Sequence, residues 1–199
     1  MNHPQRTKMM RSFSLLTVIF CFFSLSSHAA LLKMNVSSTP IQVGNSVSVD
    51  LVLTQPFAGI TNGVLAAFGF NLDFDDSALT LANTLLASDW SDDSAFYANT
   101  DLAASHFPGV SDTGQSEILL ATFMFTANSV GDFIFKVSSD SQQFLGEQGL
   151  FFFDENFDSI TFDATANATI SAVSQVSEPS AMLLLLVASG FIVRRKLKA

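Results

Sequence analysis

Phe68-Gly69-Phe70-Asn71-Leu72-Asp73-Phe74-Asp75-Asp76-Ser77-Ala78-Leu79 is the stretch that decides the fold. Phe68, Phe70, Leu72 and Phe74 fall on every second position, with Gly69, Asn71 and Asp73 between them. A period of two puts the rings on one face of a strand and the polar residues on the other. Asp75-Asp76-Ser77 then breaks the run with turn-forming side chains. The same alternation recurs on both sides of this stretch. Val47, Val49, Leu51 and Leu53 share a face against Ser46, Ser48 and Asp50, and Phe133, Phe135 and Val137 follow suit. Ile118 to Ala127 is apolar on both faces apart from its threonines, which predicts a central strand. Gln42-Val43-Gly44-Asn45 and Asn128-Ser129-Val130-Gly131-Asp132 supply further turns. No stretch between residues 31 and 173 sustains a helical period, although Ser77 to Trp90 fits a short turn of helix. Many short strands without helical crossovers predict an all-β sandwich.

Charge is distributed unevenly along the 199 residues. Arg6, Lys8 and Arg11 lie near the start, and Arg194, Arg195, Lys196 and Lys198 lie near the end. Between Ala30 and Ser177, 17 acidic side chains face only Lys33 and Lys136, a net charge of −15. Such a surface repels nucleic acid, whose phosphates need clustered Lys and Arg. It suits solubility in an exposed compartment and tolerates cation or carbohydrate neighbours. The single cysteine, Cys21, sits in the N-terminal apolar run. Removal of that run leaves no thiol, so stability has to come from core burial rather than disulfides. The middle segment holds 16 of the 21 phenylalanines, enough for one real core.

Residues 1–29 read as a signal peptide, with Arg6, Lys8 and Arg11 as its positive region and Ser12 to Ser26 as its apolar region. Small residues at Ser27 and Ala29 predict signal-peptidase cleavage between Ala29 and Ala30 after engagement of the export machinery. An uncleaved anchor is the alternative. The last 23 residues, SEPSAMLLLLVASGFIVRRKLKA, place Pro179 where a helix begins, an uncharged run from Ala181 to Val193, and a basic cluster. Thirteen residues make roughly 20 Å of helix, short of a hydrocarbon core of about 30 Å. Arginines at the end of the run snorkel to headgroups and local thinning absorbs the mismatch, so a single membrane-spanning helix is predicted with its basic end cytoplasmic.

That order of short motif, apolar helix and basic cluster resembles the PEP-CTERM sorting signal of Gram-negative bacteria. Family members carry Pro-Glu-Pro before the helix; here the motif is Ser177-Glu178-Pro179-Ser180, with Ser177 in place of the first proline. The resemblance implies processing by exosortase, a membrane transpeptidase, and an association with exopolysaccharide and biofilm. A plain C-terminal anchor is the alternative. The organisation is then a signal peptide at 1–29, an ectodomain at 30–176 and a sorting signal at 177–199.

The ectodomain also resembles a family. Ile41-x-Val43-Gly44 leads into Val47-x-Val49-x-Leu51-x-Leu53, then Phe68-x-Phe70-x-Leu72-x-Phe74-Asp75-Asp76-Ser77-Ala78-Leu79, and later Leu120-Ala121-Thr122-Phe123-x-Phe125 runs through Gly131 into another strand. This pattern is similar to cohesins, jelly-roll β-sandwiches close to some carbohydrate-binding modules. Cohesins commonly have proline after the aspartate of the Phe-Asp-x-Ser-x-Leu turn, where this chain has Asp76. The resemblance implies the fold; the dockerin partner of cohesins proper is not carried over with it.

Catalytic chemistry finds little support. His106 is the one histidine of the ectodomain, in a loop-like stretch from Ala103 to Gly109, and no Gly-x-Ser-x-Gly elbow exists. One histidine and no cysteine exclude zinc spacing. Three acidic clusters are the candidates for a site: Asp73, Asp75 and Asp76; Asp89, Asp92 and Asp93 around Trp90; and Asp154, Glu155 and Asp158. Calcium takes such oxygens from loops, but none of the clusters fits a twelve-residue EF-hand, and solvated turns are the preferred reading. Trp90, Phe96 and Tyr97 form either a sugar-stacking patch or the rim of the core. Asn35-Val36-Ser37 and Asn167-Ala168-Thr169 fit the glycosylation sequon, which means little in a bacterium. The chain reads as a non-enzymatic, exported protein, held briefly in the inner membrane and then placed at the cell surface or outside it, with a structural or adhesive role. A carbohydrate- or protein-binding module at the same location is the alternative.

Overall fold

In the computed structural model, which describes residues 30–140 and 148–174, twelve strands grow from the alternating segments. They are β1 (Leu31–Val36), β2 (Ile41–Gln42), β3 (Ser46–Thr54), β4 (Val64–Asp73), β5 (Leu79–Leu86) and β6 (Ser91–Asp92), then β7 (Leu102–Ser111), β8 (Glu117–Ala127), β9 (Gly131–Ser138), β10 (Gly149–Phe153), β11 (Ser159–Phe162) and β12 (Thr165–Val173). A 3-10 turn, Ser94–Phe96, follows β6. The alternation of β3 is kept in space: Val47, Val49, Leu51 and Leu53 are buried, while Ser46 faces water. In β9, Phe135 and Val137 point inward and Ile134 and Lys136 outward. Leu79–Leu86 departs from the sequence expectation, since the segment proposed to fit a helical turn is a strand paired to β8.

Two sheets face each other. One has the order β1-β3-β8-β5, with β8 central as its two apolar faces predict. The other runs β11-β10-β4-β9-β12-β2, with β7 on the remaining edge of β4 and β6 beyond it. β4 is the organising strand. One of its edges pairs with β7 from Val64 to Phe70; the other pairs with β10 from Val64 to Gly69 and then with β9 from Asn71 to Asp73. β2 closes the sandwich by running parallel to the end of β12.

The core lies between the sheets and is aromatic. Phe123 and Phe125 of β8 meet Phe135 of β9 edge-on, at ring-centre distances of 4.9 and 4.7 Å. Phe74, just after β4, adds edge contacts to Phe125 at 5.2 Å and Phe135 at 6.2 Å. A second group forms further along β4, where Phe152 touches Phe57 at 5.9 Å and Phe162 at 5.7 Å. Edge-on pairs add to the area term because a ring's positive rim meets its neighbour's negative face. Burial of one such side chain contributes about 1.5–3 kcal/mol.

The registers give the sandwich two distinct ends. Val64, Ser111 and Phe153 lie at one end, with the β3–β4 connection; Val173, Gln42 and Ala127 lie at the other. Truncation of Phe125, fully buried between both sheets, tests this core. Phe125→Ala is expected to cost about 3–5 kcal/mol, read as a lower urea midpoint with the denaturant slope unchanged.

Candidate binding groove

The ladder between β4 and β7 is interrupted. Ala67 pairs with Ser105 and Leu65 with Val110, so the single residue Ala66 faces the four residues His106 to Gly109, which bulge outward. Gly109 permits the bulge: its φ is +112°, and a Cβ there would run into the Val64 side chain. The Gly109 N–H donates to His106 Nδ1 at 3.3 Å and closes the bulge on itself. His106 packs edge-on against Trp90 with ring centres 5.6 Å apart, and Trp90 against Phe68 at 4.8 Å. The loop-like stretch from Ala103 to Gly109 is therefore a bulged strand, and its histidine is half-buried. At the tip of the bulge, Phe107 is 98 % exposed.

Beside the bulge lies a groove of about 520 Å³. Trp90, Val110, Ile118 and Leu119 give it apolar walls. Ser88, Asp89, His106 and Ser111 bring polar groups to the same space. Thr113 and Gln115 form a tied rim: Gln115 Oε1 accepts from the Thr113 N–H at 2.7 Å and hydroxyl at 2.6 Å, while its Nε2 donates to the Ser111 carbonyl at 2.9 Å. Asp89 sits at φ +75°, where aspartate is among the better-tolerated side chains. The lining carries one carboxylate and neither Lys nor Arg. The groove occupies the end of the sandwich opposite Val173.

The acidic clusters are turns. Asp75 Oδ1 accepts from the Ser77 N–H at 3.0 Å and from the Ser77 hydroxyl. Asp92 Oδ1 accepts from the Ser94 N–H at 2.9 Å, and Asp154 Oδ1 from the N–H groups of Asn156 and Asp158 at 2.8 and 2.9 Å. These are Asx turns, in which a carboxylate replaces a backbone acceptor. Asp73 stands in register beside Lys136, and Asp76 is exposed. Asp93 uses its backbone N–H on the Ala103 carbonyl. Among the described residues, no three His, Cys, Asp or Glu side chains gather where they would hold a metal ion. Of the two readings of Trp90, Phe96 and Tyr97, packing at the rim of the core fits Trp90, which is 9 % exposed, while Phe96 is 80 % exposed on the 3-10 turn. Ala29, the motif Ser177-Glu178-Pro179-Ser180 and the cluster Arg194, Arg195, Lys196 and Lys198 lie outside the described residues. The groove was not anticipated from sequence. Its signal was Pro108-Gly109 within a strand-length segment, a marker of a bulge.

The hydrogen bonds from Ser77 hold the Asp75 carboxyl below its ordinary value of 3.8, and those from Ser94 do the same for Asp92. A depressed folded value contributes stability above the unfolded value, and the contribution disappears as pH falls through the folded one. The Tm gap between the parent and Asp75→Ala is therefore expected to be full above 3.8 and to close below it, measured by a thermal series from neutral pH into acid.

Neither a family model nor a curated protein matches the chain. Solved structures do. A cohesin module from a family 33 glycoside hydrolase of Clostridium perfringens superposes with a TM-score of 0.50 and 7 % identity, over 74 % of this chain and 100 % of that one. The third cohesin of ScaC from Acetivibrio cellulolyticus, solved with a ScaB dockerin, gives 0.45 and 20 %, over 72 % and 100 %. A type II cohesin domain from the cellulosome of the same organism gives 0.45 and 13 %, over 71 % and 95 %. The described residues have the all-β sandwich fold of cohesin modules.

Proposed function

We propose that the chain is an exported, non-catalytic binding module with a structural or adhesive role at the bacterial surface or in its matrix. The observation that carries this reading is the polarity of the sandwich. The chain leaves β12 at Val173 at one end, and the groove with its exposed Phe107 lies at the other. A tail that holds the chain by residues beyond Val173 presents the groove away from the membrane. The basic start, apolar run and cleavage pattern of residues 1–29 support export, and Ser177 to Lys198 support sorting by a PEP-CTERM-like signal that an exosortase-type enzyme releases. Exopolysaccharide association follows from the same resemblance. The acidic surface, with Lys33 and Lys136 its only lysines, favours neutral or cationic neighbours over nucleic acid. A second reading, recognition of a protein partner, is favoured by the cohesin-like fold. Capture of one protein from matrix extract by the immobilised chain, with no retention on glycan arrays, selects that second reading.

Fractionation of the native cell tests the sorting half of the reading. Deletion of residues 178–199 is expected to move the chain from membranes to the periplasm. Glu178→Ala with Pro179→Ala keeps insertion and accumulates the larger, membrane-held form. A full-length chain that fractionates as soluble with residues 181–193 attached overturns the reading.

A further inference from the structure

We propose that the groove beside the β7 bulge binds a neutral saccharide, with Phe107 as stacking platform and His106 as hydrogen-bond donor. The inference concerns the surface of the sandwich and is independent of how the chain is sorted. A pyranose presents flat C–H faces and a rim of hydroxyls, so its site needs an apolar ring and polar groups close together. The groove has that composition: Trp90, Val110 and Leu119 stand beside Ser88, Asp89 and Ser111. Its volume of about 520 Å³ lies within the roughly 300–1,000 Å³ of small-ligand clefts.

The donor is defined by the fold. Because His106 Nδ1 accepts the Gly109 N–H, a neutral imidazole carries its proton on Nε2. His106 lines the groove, and in the proposal this N–H donates to a sugar hydroxyl. Asp89 supplies an acceptor for a second one. In chain order Phe107 lies between the lining residues His106 and Val110, on a bulge that Gly109 permits, and its 98 % exposed ring is open to a ligand that extends from the groove. A ring faces C–H groups well because its π-cloud is negative.

Charge and backbone geometry exclude the competing ligands. One carboxylate and no cation in the lining repel phosphates, sulfates and uronates. An added peptide strand needs a continuous row of backbone groups. β6 covers the free edge of β7 at Ala104 and Ser105, and the bulge breaks the ladder from His106 to Gly109. A saccharide needs no such row.

Trp90 is the single tryptophan of the chain and lines the groove, so its emission reports occupancy. The experiment titrates the full chain in detergent micelles with neutral hexasaccharides of β-1,4-glucan, β-1,3-glucan, α-1,4-glucan and mannan. Hexagalacturonate and an uncharged heptapeptide serve as the competing probes. The expected result is a saturable emission change with at least one neutral hexasaccharide and none with hexagalacturonate. Phe107→Ala, at an exposed site that leaves Tm unchanged, is expected to weaken that binding roughly tenfold, and His106→Gln to weaken it as well. Silence of Trp90 toward all four neutral sugars overturns the proposal. So does a Phe107→Ala chain that binds as tightly as its parent, equal binding of hexagalacturonate, or saturation by the heptapeptide alone.

Discussion

Edge-on packing of Phe123 and Phe125 against Phe135, with Phe74 closing the group, is the interaction on which the sandwich depends. These rings belong to different sheets, and between Ala30 and Ser177 there is no cysteine to fasten one sheet to the other. Sheets packed face to face stand about 10 Å apart, a gap that interdigitating rings fill well. β12 complements them with small residues: Ala166, Ala168 and Ala172 are buried beside Ile170, so the backbone comes close to the core. Carboxylates cannot enter such an interior without losing hydration, which is why the strong negative charge stays on turns and outer faces.

β4 converts that core into a site. It is held on both edges, by β7 on one side and by β10 then β9 on the other, so its position is over-determined. Against a strand fixed in this way the four residues His106 to Gly109 have nowhere to go but outward. The packing sequence Phe70, Phe68, Trp90, His106 then ties the bulge to the interior, ring by ring. The groove owes its shape to these supports rather than to a flexible loop.

Much of the fold was legible because a strand with one buried face writes its alternation into the sequence. Val47 to Leu51 and Phe68 to Phe74 did so, and the faces are found as read; at Val52, where the ladder to β8 shifts register, consecutive residues turn inward. Leu79–Leu86 was harder. Its pairing with β8 slips between Leu81 and Asn83, so Leu81 and Thr84 are three apart where a regular strand would keep two. That spacing imitates a helical turn. The acidic clusters were legible as turns, since aspartate two residues before a serine is a local signal. The groove was not, because its walls come from the β5–β6 turn, β7 and β8, and their meeting depends on the bulge. For Trp90 the sequence left a sugar-stacking patch and the rim of the core open, and its ring turns inward to Phe68 while its polar neighbours remain outside.

The two-ended layout has a mechanical consequence. β12 runs toward Val173 in register with β9, and the groove lies beside the opposite end of β4, where Leu65 and Val64 pair with Val110 and Ser111. Tension between a holder beyond Val173 and cargo at the groove acts along the strands, at right angles to the ladder hydrogen bonds. Those bonds are then strained together instead of being peeled one after another. From Thr165 to Ala172 the whole β9–β12 ladder shares the pull, and β2 adds a parallel clamp at its last two residues. Under such a load the ladder would resist in shear rather than by peeling.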